Sequence, residues 1–433
     1  MTGGSISADT SVALRRLAWT MFVPMAIYSV GYGAAGPMYV LRAVDLGASA
    51  GQAGVIVALT GLGMVLADLP AGGIVARIGE RGAIAVGSGV GMIGVAAALC
   101  APNVGVLAVG MLLVGASGAV WGLARQSYLV AVVAPADRGR AMSLLAASSR
   151  FGLFCGPFLG AVPVHFFGPN GALWLQLVAT AISAAAMVAI PSADGEHSDG
   201  SVQPLRAVIV ENRRVLATLG SSALLVGAAR AARLALLPLW AAHIGVNAAT
   251  ISLIFGVAGA VDVLMSYPAG IWLDRYGRRA TGVPAMALFA LGYASLPLTS
   301  SAVAIGVSAF ILGVANGLSN GLIMTVGADV APEARRAEFL GAWRLTHDAG
   351  AFVGPIAVGA ISVVTVLAGS AVALAVTSVL GAATMYRWFP GVPSSRKGPD
   401  RRGGRRDRDV ESGVEVHTGG NSSPRRVTSA KRC

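Results

Sequence analysis

Residues 268–279 read Pro-Ala-Gly-Ile-Trp-Leu-Asp-Arg-Tyr-Gly-Arg-Arg, and residues 70–81 read Pro-Ala-Gly-Gly-Ile-Val-Ala-Arg-Ile-Gly-Glu-Arg. The two stretches lie 198 positions apart and keep proline, alanine, glycine and the basic turn in register. At nearly the same shift Val133-Ala134-Pro135 with Arg138 recurs as Val330-Ala331-Pro332 with Arg335, and Gly152-x-x-x-Gly156-Pro157 recurs as Gly350-x-x-x-Gly354-Pro355. Three matches at nearly one offset make the chain two halves of the same orientation, the parallel repeat from which transporters are built around a central site.

Outward from these turns the chain is apolar. Of 433 residues 55% are hydrophobic and only 12% charged, with a mean hydropathy of +0.71, against about 25% charged in soluble domains. A water-facing multidomain protein is excluded, and a polytopic membrane protein is expected. Runs of about 18 or more apolar residues fall in the first half at 17–41, 51–75, 82–101, 104–128, 141–167 and 172–190. In the second half they fall at 215–240, 248–273, 280–298, 302–328, 339–367 and 370–389. They are continuous and too long for barrel strands, so the fold class is an all-α membrane protein of twelve transmembrane helices. Its expected parts are an N-terminus (1–16), a six-helix half (17–190), a linker (191–214), a second six-helix half (215–390) and a basic tail (391–433).

Arginines place the ends. Arg77 and Arg81, Arg138 and Arg140, Arg206, Arg213 and Arg214, Arg275, Arg278 and Arg279, and Arg335 and Arg336 share one side of the alternating loops, whereas the other side offers little beyond Arg42 and His243. The positive-inside rule then puts both termini in the cytoplasm. The tail holds eleven basic against five acidic residues, half of the net charge of +12; with no apolar periodicity it is expected to stay disordered and to meet anionic lipid headgroups. No nucleic-acid partner is expected. Both lysines sit in the tail and the body is rich in Ala, Gly and Val, which points to a GC-rich bacterial genome and a bacterial cytoplasmic membrane.

Enzyme and metal chemistry find no foothold. Cys100, Cys155 and Cys433 make neither a disulfide framework nor a metal spacing, and the five histidines are scattered. No phosphate-binding loop is present, and Thr346-His347-Asp348 reads as an intramembrane polar cluster. Neither a cofactor nor a metal is expected.

These residues resemble the major facilitator superfamily over about 16–389. Gly270 with Asp274, Arg275, Gly277, Arg278 and Arg279 is similar to the family's signature cytoplasmic loop: glycine permits the turn, the arginines stay outside the membrane, and Asp274 is expected to pair with arginine or cap a helix. The first copy departs from it, with Ala76 for aspartate and Glu80 for arginine. Gly152, Gly156, Pro157 and Gly160 in span five resemble the motif of exporting members; the small residues admit a close helix contact and Pro157 is expected to bend the helix where the halves meet. Met111 stands where proton-driven exporters carry an arginine, and Arg125 is read as snorkelling toward the helix end. The resemblance implies a monomeric secondary transporter with spans one, four, seven and ten around the substrate. That makes Tyr28, Tyr32, Trp121, Asn316 and Asn320 the expected cavity set.

Charges inside spans are expensive in hydrocarbon and mark function. They are Asp68, Arg150, Arg230, Arg233, Asp262, Arg344, His347 and Asp348. Equal depth pairs Arg150 with Asp262 and Asp68 with Arg344, in the helix neighbourhoods that the resemblance implies. Asp348, one turn beyond Arg344, would share that arginine, which makes Asp348 or Asp68 the expected proton carrier. The leading function is proton-driven export of small amphiphilic molecules. The alternatives are an uptake symporter for a metabolite or sugar and a non-transporting scaffold that acts through its tail. In a variant stripped of its own cysteines, single cysteines at 170 and 247 should react with an impermeant maleimide added to intact cells, and one at 278 should not. Labelling at 278 would invert the topology.

Overall fold

The computed structural model describes residues 18–133, 137–188, 205–332 and 336–389, and helices carry almost all of them. A π turn at Ala18–Phe22 leads into α1 (Val23–Asp45), followed by α2 (Ala50–Leu99), α3 (Val104–Val132), α4 (Arg138–Phe167) and α5 (Pro169–Val188). The short α6 (Leu205–Glu211) precedes α7 (Arg213–His243), α8 (Ala248–Ser295) and a 3₁₀ turn at Leu296–Leu298. Then come α9 (Ala302–Leu318), α10 (Leu322–Val330), α11 (Arg336–Val364) and α12 (Leu367–Trp388). The expected linker therefore contains a helical turn, while the N-terminus and basic tail lie outside the described residues.

The repeat read from side chains is present in the backbone. Gly79 (φ 70) and Gly277 (φ 87) hold the same left-handed conformation, and each joins two helices end to end, so spans expected to be separated by a loop run through one kink. Only glycine enters that region at little steric cost. At the opposite end Gly47 and Gly245 match, with φ 81 and 79. Ser49 caps α2 through the Gln52 N–H at 3.2 Å, and Asn247 caps α8 through the Thr250 N–H at 2.9 Å. Asn103 and Ser301 cap α3 and α9 in the same way. These side chains satisfy amide donors that the helix ends leave open.

Ten stretches among the described residues are long and apolar enough to cross a membrane, judged by length and composition. One of them, Ala248–Leu298, passes through the Gly277 kink, and α1 is not among the ten. Trp174, Val178 and Ile182, four residues apart along α5, are all at least half exposed. In water such a stripe would drive aggregation; in a bilayer lipid tails are its solvent. One feature has no counterpart in the first half. Where α3 is continuous, its partner breaks at Ser319–Gly321, with Gly321 at φ 76, and divides α9 from α10.

Packing within each half follows one rule. α1 lies against α4 and α5 as α7 lies against α11 and α12. Gly152 abuts the Ala26 carbonyl oxygen, and a Cβ on Gly156 would meet the Val30 carbonyl oxygen at 2.5 Å. In the second half Gly350 abuts the Leu224 carbonyl oxygen and Gly354 that of Ala228. The glycine pair of span five thus makes the close helix contact expected of it, inside its own half, and its copy in span eleven does the same. Pro157 reaches across, its carbonyl oxygen accepting the Ser252 hydroxyl at 2.8 Å. Gly156→Leu and Gly354→Leu should each destabilise the protein by about 2 kcal/mol, read as a lowered melting temperature in detergent. A harmless Gly354→Leu beside a damaging Gly156→Leu would break the equivalence.

Candidate functional site

The halves meet along α2 with α11 and α4 with α8, two contacts that the repeat exchanges. Both are tight toward the Ser49 and Asn247 end. A Cβ on Gly54 would sit 2.6 Å from the Pro355 carbonyl oxygen and 2.9 Å from Gly359 Cα, and one on Gly51 would meet Val363 at 2.5 Å. On the other seam Gly256 faces the Phe158 ring. Farther along the same four helices stand Asp68, Arg150, Asp262, Arg344 and Asp348. Asp68 and Arg150 are exposed, Asp68 has Arg344 and Asp348 as charge neighbours, and the Arg344 side chain is 58% exposed. The four helices therefore border a polar space on the Gly79 and Gly277 side.

One wall is an asparagine-built bridge. Asn316 donates to Asp262 at 2.7 Å and Asn320 donates to the other Asp262 oxygen at 2.6 Å, while the Asn320 carbonyl oxygen accepts from Arg230 at 2.8 Å. Asn320 Nδ2 also lies 2.8 Å from Ser266 Oγ. A primary amide carries both donor and acceptor, so Asn320 joins a guanidinium to a carboxylate that it does not touch. The break at Ser319–Gly321 frees Asn320 from the helical ladder and sets it at this junction.

The expected Arg150–Asp262 ion pair is thus corrected. Both Asp262 oxygens are occupied by asparagine amides, and Arg150 makes no hydrogen bond or ion pair among the described residues. Equal depth along two helices does not bring side chains together where the helices diverge beyond their contact at 154–160 and 252–259. Asp68 and Arg344 are charge neighbours without an ion pair; Arg344 bonds Asp348 at 3.4 Å instead, and His347 Nδ1 lies 3.1 Å from the same carboxylate. The sharing expected of Asp348 is therefore intrahelical.

The expected cavity set separates into two clusters. Trp121 is 1% exposed, stacked on Tyr28 at 4.3 Å and 12°, and donates to Ser88 Oγ at 2.6 Å. It is a core residue, held on every side, and not a free ligand surface. Tyr28 is buried beside it, Tyr32 is half-buried one turn on, and Asn316 and Asn320 belong to the Asp262 bridge. Arg125, expected to snorkel, turns inward: its guanidinium meets the Met25 sulfur, and Tyr28 and Arg344 are among its charge neighbours. Its polarity inside an apolar run was the available signal.

The loop motif holds each half to itself. Arg278 grips Asp329 of α10 with two bonds, 2.7 and 3.1 Å, and Arg279 lies 3.5 Å over the Tyr386 ring. Asp274 is exposed and, among the described residues, makes neither the ion pair nor the cap expected of it, and Arg275 stacks on its neighbour Tyr276 at 5.3 Å. Gly277 supplies the kink, whereas Gly270 faces open space. In the first copy Glu80 accepts the Ser127 hydroxyl of α3 at 3.0 Å, so the altered residue serves the same tie by a neutral donor.

A repeated helical body whose charges gather mainly in its middle and at one end is the build expected of a membrane transporter. The sequence matches the Major Facilitator Superfamily over residues 21–218 and again over 219–427, and the chain belongs to that family. It is a multi-pass membrane transporter and not an enzyme. Similar folds include the nucleoside transporter NupG (16% identity, TM-score 0.72, 86% of this chain and 98% of that one). A POT family transporter in complex with 5-aminolevulinic acid is also similar (13%, 0.71, 87% and 96%), as is a D-xylose-proton symporter (13%, 0.67, 87% and 98%). No curated protein sequence matches. Arg230→Gln and Asp262→Asn should couple by about 1 to 3 kcal/mol in a double-mutant cycle, whereas Arg150→Gln and Asp262→Asn should add to within about 0.5 kcal/mol. The reverse ranking would restore the Arg150–Asp262 pair.

Proposed function

We propose that this transporter exports small amphiphilic molecules in exchange for protons by alternating access across a bacterial cytoplasmic membrane. Its twelve spans are α1, the arms of α2 about Gly79, α3, α4, α5, α7, the arms of α8 about Gly277, α9 with α10, α11 and α12. The Gly79 and Gly277 turns face the cytoplasm, because the arginines of the sequence gather there. The observation that carries the reading is the one-sided seam: Gly51, Gly54 and Gly359 close one end, while Asp68 and Arg344 stand unjoined across the other. That is a state open to the cytoplasm.

Closing the open end brings α2 onto α11 and offers Asp68 to Arg344. Arg344 then has a choice of carboxylates, and Asp348, released from it, binds a proton next to His347. Opening reverses the exchange. Alternate pairing of one cation thereby ties protonation to which end is shut, which is what coupling requires. Export rests on the resemblance of Gly152, Gly156, Pro157 and Gly160 to the exporter motif, and the structural role of these residues is helix contact in either direction of transport.

In proteoliposomes, a pH gradient should drive substrate accumulation, and Asp348→Asn should fold, bind substrate and lose the gradient-driven part to background. Asp68→Asn should slow both gradient-driven and exchange flux. Unchanged gradient-driven flux in both variants would remove the proton role. Accumulation with the proton flow, and not against it, would replace export by uptake symport.

A further inference from the structure

Charge is unbalanced on one wall of the polar space. Arg233 of α7 and Arg150 of α4 are both charge neighbours of Arg230, and Asp262 is the carboxylate beside it. Asp262 is already committed, joined to Arg230 through Asn320. Arg150 is exposed and, among the described residues, neither it nor Arg233 makes a hydrogen bond or ion pair; the Arg233 Nε is buried without a partner, with Tyr293 as a neighbour. On the opposite wall Arg125 has a thioether as its bonded partner, and its Nε is likewise buried and unpaired. Guanidinium groups within a membrane span normally hold a carboxylate or carbonyl, because an unmatched charge in a poorly solvated interior is costly.

The helix break adds to the same imbalance. α10 begins at Leu322, with Gly321 as its N-cap between it and Asn320, so the positive end of its dipole lies near the Arg230–Asp262 bridge. A cationic substrate would meet three arginines here. An oxyanion would instead complete the donor sets of Arg150 and Arg233, for which planar guanidinium groups are suited. Tyr32 of α1, half-buried, is the aromatic residue of the expected cavity set that the core leaves partly free.

Resting on the transporter reading above, the geometry points to a substrate class: a small organic anion whose carboxylate or phosphate docks between Arg150 and Arg233, beside the Asn320 bridge. The purified full-length protein is titrated with benzoate, phenyl phosphate and inorganic phosphate, and with benzylamine and benzyl alcohol at matched ionic strength, with melting temperature as the readout. The two aromatic anions should stabilise it saturably, and the amine and alcohol should not. Arg150→Gln and Arg233→Gln should each weaken phenyl phosphate binding about tenfold, with lysine at either position keeping part of the affinity. Arg150 is exposed, so its variant folds even if the Arg233 variant does not.

Benzylamine binding as well as benzoate, no shift from any of the three anions, or wild-type affinity in Arg150→Gln would overturn the assignment. Inorganic phosphate binding as tightly as phenyl phosphate would mark a simple ion site and overturn it also. Flux separates the two readings. Phenyl phosphate that binds but is not carried into vesicles leaves the anion site standing and removes the transporter reading, whereas carriage of benzylamine alone keeps the transporter and removes the anion class.

Discussion

Backbone against backbone at one end of the molecule is the constraint from which the rest follows. Where Gly51 and Gly54 meet Gly359, glycine on both helices lets backbone approach backbone, and Ser252 ties the other seam to Pro157. Contacts of that kind have no slack. The same four helices run on to the other end, where α2 and α8 kink at Gly79 and Gly277, and short of those kinks Asp68 and Arg344 stand unjoined. Close contact and open polar space are two ends of one geometry, so relieving the first would alter the second.

Most of the architecture was legible because the repeat is written in residues that bend or cap the chain. Gly79 and Gly277, Ser49 and Asn247, and Asn103 and Ser301 stand at matched positions, and each does the same task in both halves. The charged interior was legible as a set, since arginine and aspartate in apolar runs are conspicuous. Its wiring was not. Depth along a helix is one coordinate, and pairing also needs the angle about the axis and the distance between axes. Arg150 and Asp262 satisfy the first, yet both Asp262 oxygens go to Asn316 and Asn320. The asparagine bridge escaped notice for another reason: Asn320 looks like any polar residue until the break at Gly321 shows that it has left the helical ladder.

Trp121 illustrates the opposite error. Its helical spacing suits a binding surface, yet indole buries more apolar area than almost any side chain, and a serine at the right height satisfies its one polar atom. Arg125 had been set aside as peripheral and turns inward instead. Aromatic residues near a transporter's centre are drawn into its core by the same force that would draw a ligand to them, so the free surface belongs to residues that the core cannot absorb. Here those are the arginines.

The break between α9 and α10 also says where water stands. Hydrocarbon does not accept an interrupted helical ladder unless protein or water completes it, and here turn bonds from Asn320 N–H to the Gly317 carbonyl (3.1 Å) and from Leu322 N–H to that of Ser319 (3.3 Å) carry part of the crossing. Gly321, about 14 Å inside the end of α10 at roughly 1.5 Å per residue, is exposed. Any backbone group that these turns leave open is a place where water could enter the second half. The matching stretch of α3 is unbroken and offers no such place, so the two halves, alike in outline, differ in where they could be wet.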